Sequence, residues 1–127
     1  MKRTLILTLS VLAAALIACT ASYFTLNATV DRADQLQSLA VLDVQEGRPL
    51  RAAERMVALA EYWRDRAPLL ETLASHDALH EVSTAIAEAR ICLECDDHDD
   101  FLRTMSLVGA GLEHLKDEAS IRWSNLY

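Results

Sequence analysis

Cysteine and histidine side chains occur in the second half of the sequence at spacings that could bind a metal ion. Cys92, Cys95 and His98 form the pattern C-x2-C-x2-H, and His76 and His80 add a pair four residues apart. However, the histidines begin a predicted helix and the cysteines end it, so the two pairs lie about 20 Å apart. The three remaining ligands are one short of a structural zinc site, and we therefore expect no bound metal.

The same two cysteines could instead be redox active or form a disulfide. A reactive C-x-x-C pair has its first cysteine at a helix N-terminus, where the helix dipole favours the thiolate. Here the pair falls at a helix C-terminus, where the dipole disfavours it. Two interpretations remain open: a disulfide between Cys92 and Cys95 in an oxidising exterior, or two free residues of a helix.

Aspartates surround His98 in segment 96–100. A calcium-binding EF-hand loop needs Gly at its sixth position and Glu at its twelfth, and this segment provides neither. Aspartates also suit the start of a helix, where they accept hydrogen bonds from free backbone N–H groups, and Asp97 is the predicted cap. No catalytic triad or dyad follows from the helical spacing. We therefore expect a non-enzyme, and we assign no catalytic or cofactor-binding residue.

The N-terminal segment is long and apolar enough to cross a membrane. Residues 5–26 carry no charge and would form a helix of about 33 Å, against a hydrocarbon layer of about 30 Å. Lys2 and Arg3 precede the segment and Asp31 follows it, which places the N-terminus in the cytoplasm. The sequence predicts a membrane anchor over residues 1–30, left uncleaved, and an extracytoplasmic domain over residues 31–127.

Cleavage of this segment is the alternative. Leu16-Ile17-Ala18-Cys19 fits the lipobox at which bacterial signal peptides are cut, which makes Cys19 the candidate lipidated residue of a lipoprotein. Ordinary cleavage after Ala21 is a third interpretation. A lipidated cysteine is usually followed by a polar tether, whereas here the apolar run continues to residue 26. We therefore prefer the uncleaved span.

Charge restricts the partners of the exported part. Residues 31–127 hold all 19 acidic residues but only 10 of the 12 Lys and Arg residues, a net charge of −9. A domain of this charge repels phosphate backbones, so we expect no nucleic-acid partner. The expected partners are the membrane, through one span, and a protein of the cell envelope. Self-association is a further expectation, because residues 13–15 give the span a small-residue face.

The pattern of apolar residues predicts an all-α fold, in which the membrane helix continues into a small antiparallel bundle of about four helices. Gly47-Arg48-Pro49 predicts the corner between the first and second helices. A second helix from Pro49 to about Ser75 is expected to kink or restart at Pro68. A hairpin of two further helices follows, and residues 121–127 should fold back as a lid. Four apolar stripes are predicted to be buried: Ala33, Leu36, Leu39 and Ala40; Ala53, Val57, Ala60, Trp63, Ala67 and Leu70; Leu79, Val82, Ile86, Ala89 and Leu93; Phe101, Met105, Val108, Leu112 and Leu115.

Helical glycines, marginal aromatic residues and one histidine need a further explanation. Gly109 and Gly111 lie within the fourth helix, where each costs about 1 kcal/mol relative to Ala, so we expect another helix to approach closely there. Trp63, Trp123 and Tyr127 are expected at the margin of the bundle, as lids on the core or as contacts for a partner. His76, at the start of a helix, is a fourth candidate interaction residue.

The segments "EYW" (61–63), "LLETLASHDALHEVSTAIAEARICL" (69–93), "LEHLKDE" (112–118) and "NLY" (125–127) resemble the bacterial family called domain of unknown function 4363. The resemblance covers about residues 50–127. It implies an uncleaved N-terminal membrane helix, a small extracytoplasmic helical domain and no assigned activity. It also implies that Cys92 and Cys95 are peculiar to this sequence.

The sequence therefore predicts a single-pass membrane protein whose acidic helical bundle is a protein-interaction or structural module of the cell envelope. The alternative function is a lipoprotein or a cation-responsive or thiol-responsive sensor that uses residues 92–100.

Overall fold

The computed structural model describes residues 1–125, apart from the side chain of Trp123. Four helices occupy nearly all of this part: α1 (Lys2–Gln45), α2 (Pro49–Leu73), α3 (His76–Glu94) and α4 (His98–Asn125). No strand occurs in the residues described. The predicted all-α fold, with a long N-terminal helix that leads into a bundle, is confirmed.

Each helix of the bundle packs on the next, and α4 packs back on α1. Short connections make consecutive helices antiparallel, so the arrangement is an up-down-up-down bundle around one core. We call the end at which α1 enters the bundle, near Leu73 and Ala119, the basal end. The opposite end, with the two corners after α1 and α3, is the distal end.

Both distal corners contain the turn and capping residues that the sequence predicts. Gly47 has a φ of +74°, a left-handed conformation that favours glycine, and Pro49 begins α2. At the second corner the Asp100 backbone N–H donates to Asp97 Oδ1 at 3.1 Å, so Asp97 is the cap expected from the sequence.

The predicted seams of α3 and α4 are confirmed, because every residue of both stripes is buried. The close approach expected at the helical glycines occurs at Gly111, where an added Cβ would lie 2.8 Å from Val82 Cγ2. At Gly109 the nearest atoms belong to the flexible side chain of Gln37, at 3.9 Å.

The predicted buried stripe of α2 is wrong in part. Trp63 and Leu70 are buried, but Val57 is 43% exposed and the alanines at 53, 60 and 67 are only half-buried. The core contacts of α2 come from Ala52, Met56, Leu59, Trp63 and Leu70. The helix is rotated away from the predicted face because α2 packs against α1 as well as α3, and its apolar face points between the two.

Two other predictions are corrected. Pro68 does not make the helix restart, since α2 is continuous from Pro49 to Leu73. Pro68 and Arg64, whose carbonyl loses its donor, are both exposed, so water can satisfy that carbonyl. Residues 121–125 do not form a separate lid but extend α4, where Arg122 pairs with Glu118 one turn earlier at 2.9 Å.

The first part of α1 stands apart from the bundle. Residues 1–19 are all exposed, and Leu26 is the first buried residue, inside the segment that the sequence assigns to the anchor. By length and composition, α1 is able to cross a membrane, and none of its most apolar window is buried against the bundle.

Candidate functional site

An open groove runs between α2 and α3 along most of the bundle. It consists of three cavities in sequence, of about 310 Å³ near the distal corners, about 140 Å³ at mid-height and about 150 Å³ towards the basal end. The lining residues extend from Pro49 to Glu71 on α2 and from Glu94 to His76 on α3. We call this surface the α2–α3 groove.

Small side chains leave the groove open. Ala53, Ala60 and Ala67 recur every seven residues along the α2 wall, and Ser83 and Ala87 lie on the α3 wall. Residues seven apart lie on the same helix face, so the space above these small side chains forms one groove that connects the three cavities. Larger side chains below them form the floor.

Trp63 is the central floor residue. Its side chain lines both the mid-height cavity and the lowest cavity of the groove and is 3% exposed, and its Nε1–H donates to Ser83 Oγ at 3.0 Å. The indole therefore has its polar atom satisfied while its ring faces the groove, as is usual for buried tryptophans. This bond joins α2 to α3 where the mid-height and lowest cavities of the groove meet.

Arg90 lies at the boundary of the distal and mid-height cavities and lines both. Its side chain is half-buried, and it has no hydrogen bond or ion pair within residues 1–125. A half-buried cation loses hydration, and this loss is normally offset by a carboxylate. Glu94 lines the same distal cavity without pairing with it. Arg90 is therefore a positive group available to an acidic group from outside.

Histidines lie at the basal end of the groove. The rings of His76 and His80 stack with centroids 6.3 Å apart and planes 17° from parallel, and both residues line the lowest cavity of the groove beside Glu71. Both histidines are exposed on the first turns of α3, whose N-cap is Ser75. His76 and Trp63, two of the residues predicted to contact a partner, thus line one cavity.

Segment 92–100 does not assemble into a ligand set. Cys92 is half-buried with its Sγ 4.0 Å from Thr104 Oγ1, and Cys95 is exposed at the distal corner, both as free thiols. Within residues 1–125 no group of three His, Cys, Asp or Glu residues is placed to hold a metal ion. The disulfide between Cys92 and Cys95 stays a prediction. His98 Nε2 is buried there and has no hydrogen-bond partner among the residues described.

The other predicted residues lie elsewhere. Cys19 is exposed on α1 just before the bundle begins, and its lipidation stays a prediction. The side chain of Trp123 and all of Tyr127 lie outside the described residues. Sequence reasoning missed Arg90 and the three alanines, because a groove exists only once the pairing of α2 with α3 is known.

Comparison of the chain with protein families, with curated proteins and with solved structures finds no match. The resemblance to domain of unknown function 4363 therefore stays an expectation, and the functional argument depends on the geometry of the groove.

Proposed function

We propose that this chain is a single-pass protein of the bacterial cell membrane, with its N-terminus in the cytoplasm, whose extracytoplasmic bundle binds a helix of another envelope protein. The observation that carries the proposal is the α2–α3 groove, in which Arg90, at the boundary of the distal and mid-height cavities, has no partner among residues 1–125. The apolar residues 5–26 and the basic residues before them support the anchor and its orientation.

The dimensions of the groove suit one amphipathic helix. Its α2 wall, from Pro49 to Glu71, measures about 33 Å at 1.5 Å per residue, a little over six helical turns. Alanines in one wall allow a close approach of a partner backbone, and an exposed Val57 offers apolar contact. Grooves of this type bind helices through apolar residues spaced three and four apart.

Arg90 defines the chemistry of the partner helix. An acidic residue placed opposite Arg90 would pair with a cation that the fold leaves without a carboxylate. A second copy of this chain fits less well, because two copies anchored in one membrane are related by an axis along the membrane normal, which would set two Arg90 side chains at the same height in facing grooves. The occupant is therefore a helix of a different protein, with a small apolar face and one acidic residue within it.

Site-specific photocrosslinking in membranes tests the proposal. A photoreactive residue is placed at Ala53 or Ala87, which line the groove, and for comparison at Ala58, which is exposed on α2 outside the groove. Crosslinks to one protein are expected from the two groove positions alone. Arg90→Glu should weaken binding of that purified partner at least about tenfold, and reversal of its acidic residue to Lys should restore binding.

Arg51→Glu is the matched control, because Arg51 is exposed on α2 outside the groove and undergoes the same charge change. Equal crosslinking from Ala58, or a loss of binding with Arg51→Glu equal to that with Arg90→Glu, would contradict the groove as the binding surface. A crosslinked product of two copies of this chain would replace the envelope partner with self-association.

A further inference from the structure

A separate cavity lies at the basal end, where α1 enters the bundle. Its volume is about 290 Å³, and three helices contribute to it. The lining residues are Ala18, Cys19, Ser22, Tyr23 and Leu26 of α1, Thr72 and Leu73 of α2, and Ala119 and Arg122 of α4. We call it the basal cavity. An apolar cavity of about 150 Å³ already holds a benzene molecule, so the basal cavity has room for a segment of hydrocarbon chain.

The height of the cavity along α1 places it at the membrane surface. This step rests on the proposed membrane anchoring. With Lys2 and Arg3 at the inner membrane surface, the 20 uncharged residues from Thr4 to Tyr23 measure about 30 Å as a helix, equal to the hydrocarbon thickness. When this part of α1 spans the bilayer, Tyr23 lies at the outer edge of the hydrocarbon, and Cys19 lies about one helical turn inside that edge. The cavity then begins in the acyl-chain layer and extends towards Leu26.

Aromatic and aliphatic side chains at the same height support this depth. Tyr23 and Phe24 form an edge-to-face pair with centroids 5.9 Å apart, and Phe24 is 64% exposed. Ile121, near the end of α4, is 61% exposed. Exposed rings and aliphatic groups next to a membrane helix are stabilised by contact with the headgroup and upper acyl region.

Arg122 gives the cavity a charged side. Its Nη1 donates to the Leu73 carbonyl at 3.2 Å and its Nη2 pairs with Glu118 at 2.9 Å, which fixes the guanidinium beside the apolar wall. The side chain is 56% exposed, and two bonds leave other N–H donors of the guanidinium open. A positioned guanidinium binds phosphate oxygens well.

We propose that the basal cavity binds one phospholipid from the outer leaflet of the membrane that α1 spans. One acyl chain occupies the space between Leu26, Leu73 and Ala119, and the phosphate lies at Arg122. The lipid then completes the packing between α1 and α4 at the level where the helix leaves the bilayer. It ties the orientation of the bundle to the membrane surface.

Native mass spectrometry of the full chain tests this proposal. The protein is reconstituted in nanodiscs of phosphatidylglycerol and phosphatidylethanolamine and released into mild detergent. The wild type should retain one phospholipid per chain. Ser22→Trp, which fills the cavity from α1, should lose it, and Arg122→Gln should reduce retention by about tenfold, as expected for a lost charged hydrogen bond. Arg122→Lys should retain an intermediate amount.

Two controls separate the outcomes. Ser38→Trp and Arg103→Gln make the same changes at exposed positions away from the basal cavity, and both should retain the lipid. Circular dichroism checks that each variant is folded. Retention by Ser22→Trp equal to the wild type, absence of lipid from the wild type, or an intact mass showing an acyl chain on Cys19 would each overturn the proposal. Release of the wild type from membranes by a carbonate wash would instead refute the anchoring.

Discussion

At the residue scale, one buried charge is paired within the fold, and another, half-buried charge is not. Asp43 is the buried carboxylate of the distal end, and it is paired with both Arg48 and Arg55 at 3.3 Å. Arg90, half-buried on α3, has no such partner in the part of the chain described here. The fold thus satisfies the charge that holds α1 to α2, while it leaves a charge in the groove unsatisfied.

Asp43 is expected to contribute to stability. Asp43→Asn keeps the shape of the side chain but removes the charge that faces two guanidinium groups, so the free energy of unfolding should fall by about 1 to 2 kcal/mol. The measurement is urea unfolding followed by circular dichroism. Asp65→Asn, at an exposed position of α2, is the control and should change stability by less than about 0.5 kcal/mol. Equal effects of the two substitutions would contradict the role of Asp43.

Arg90 is expected to lower stability in the absence of a partner. Arg90→Met keeps the linear stem and removes the half-buried charge, so the free energy of unfolding should rise by about 0.5 to 1 kcal/mol. Binding of the partner should be lost at the same time. Arg103→Met, which removes an exposed arginine paired with Asp100, should not stabilise the bundle. A loss of stability with Arg90→Met would indicate that Arg90 is structural.

At the element scale, the close packing of α4 against α3 requires glycine at position 111 but not at position 109. Gly111→Ala places a Cβ 2.8 Å from the branched side chain of Val82, which cannot easily rotate away within a helix. Overpacking costs about 1 to 3 kcal/mol, more than the gain of up to about 1 kcal/mol in helix propensity. Gly111→Ala should therefore lower the thermal midpoint.

Gly109→Ala provides the matched comparison, since its Cβ would meet only the flexible end of Gln37 at 3.9 Å. It should stabilise the bundle by up to about 1 kcal/mol. Val82→Ala should abolish most of the penalty of Gly111→Ala, which a double-mutant cycle measures. The same sign of effect at both glycines would refute the close approach.

The extent of successful sequence prediction differs between elements for a physical reason. On α3 and α4 large apolar residues such as Phe101, Met105 and Ile86 recur every three or four residues along one face, whereas Ile91 and Leu107 are isolated on other faces and are exposed, so periodicity identifies the core. On α2, alanines lie on two adjacent faces, and both satisfy the helical period. Which face is buried depends on the position of α1, which α2 contacts across the distal corner.

The candidate site was predictable to the same degree. Trp63 and His76 have side chains that are noticeable in any sequence, and both line the groove. Arg90 is one of 12 Lys and Arg residues and has no distinguishing neighbour in the sequence. Its lack of a partner depends on three-dimensional packing, because Glu94 lines the same cavity and still does not pair with it.

At the scale of the whole molecule, the up-down-up-down arrangement aligns the groove with the membrane anchor. The helices of the bundle run antiparallel, so the α2–α3 groove is roughly parallel to α1. The lowest cavity of the groove, beside His76, lies at the end of the bundle from which α1 emerges. Under the proposed anchoring, a helix in the groove would stand upright on the membrane. A partner with its own membrane-spanning helix could therefore occupy the groove with a straight continuation of that helix.

The orientation of the whole chain can be tested with its own cysteines. Cys95 is exposed at the distal corner, and Cys19 lies where α1 meets the bundle. We consider variants that keep only one cysteine. A membrane-impermeant maleimide applied to spheroplasts, whose cytoplasmic membrane is intact, should label Cys95. Cys19 should react only after detergent is added, because a thiol inside the hydrocarbon layer is shielded from a polar reagent.

The labelling experiment distinguishes the interpretations of the N-terminal segment. Cys95 reports the side of the membrane on which the bundle lies, and Cys19 reports cleavage and lipidation. Protection of Cys95 in intact cells, with labelling after lysis, would place the bundle in the cytoplasm and refute the proposed orientation. A Cys19-only protein that is shortened by its first 18 residues and carries acyl mass would be a lipoprotein. In that case α1 would begin only seven residues before Leu26, the first core position, and the chain would have no membrane-spanning helix. The groove would still lie on the outer side of the cytoplasmic membrane.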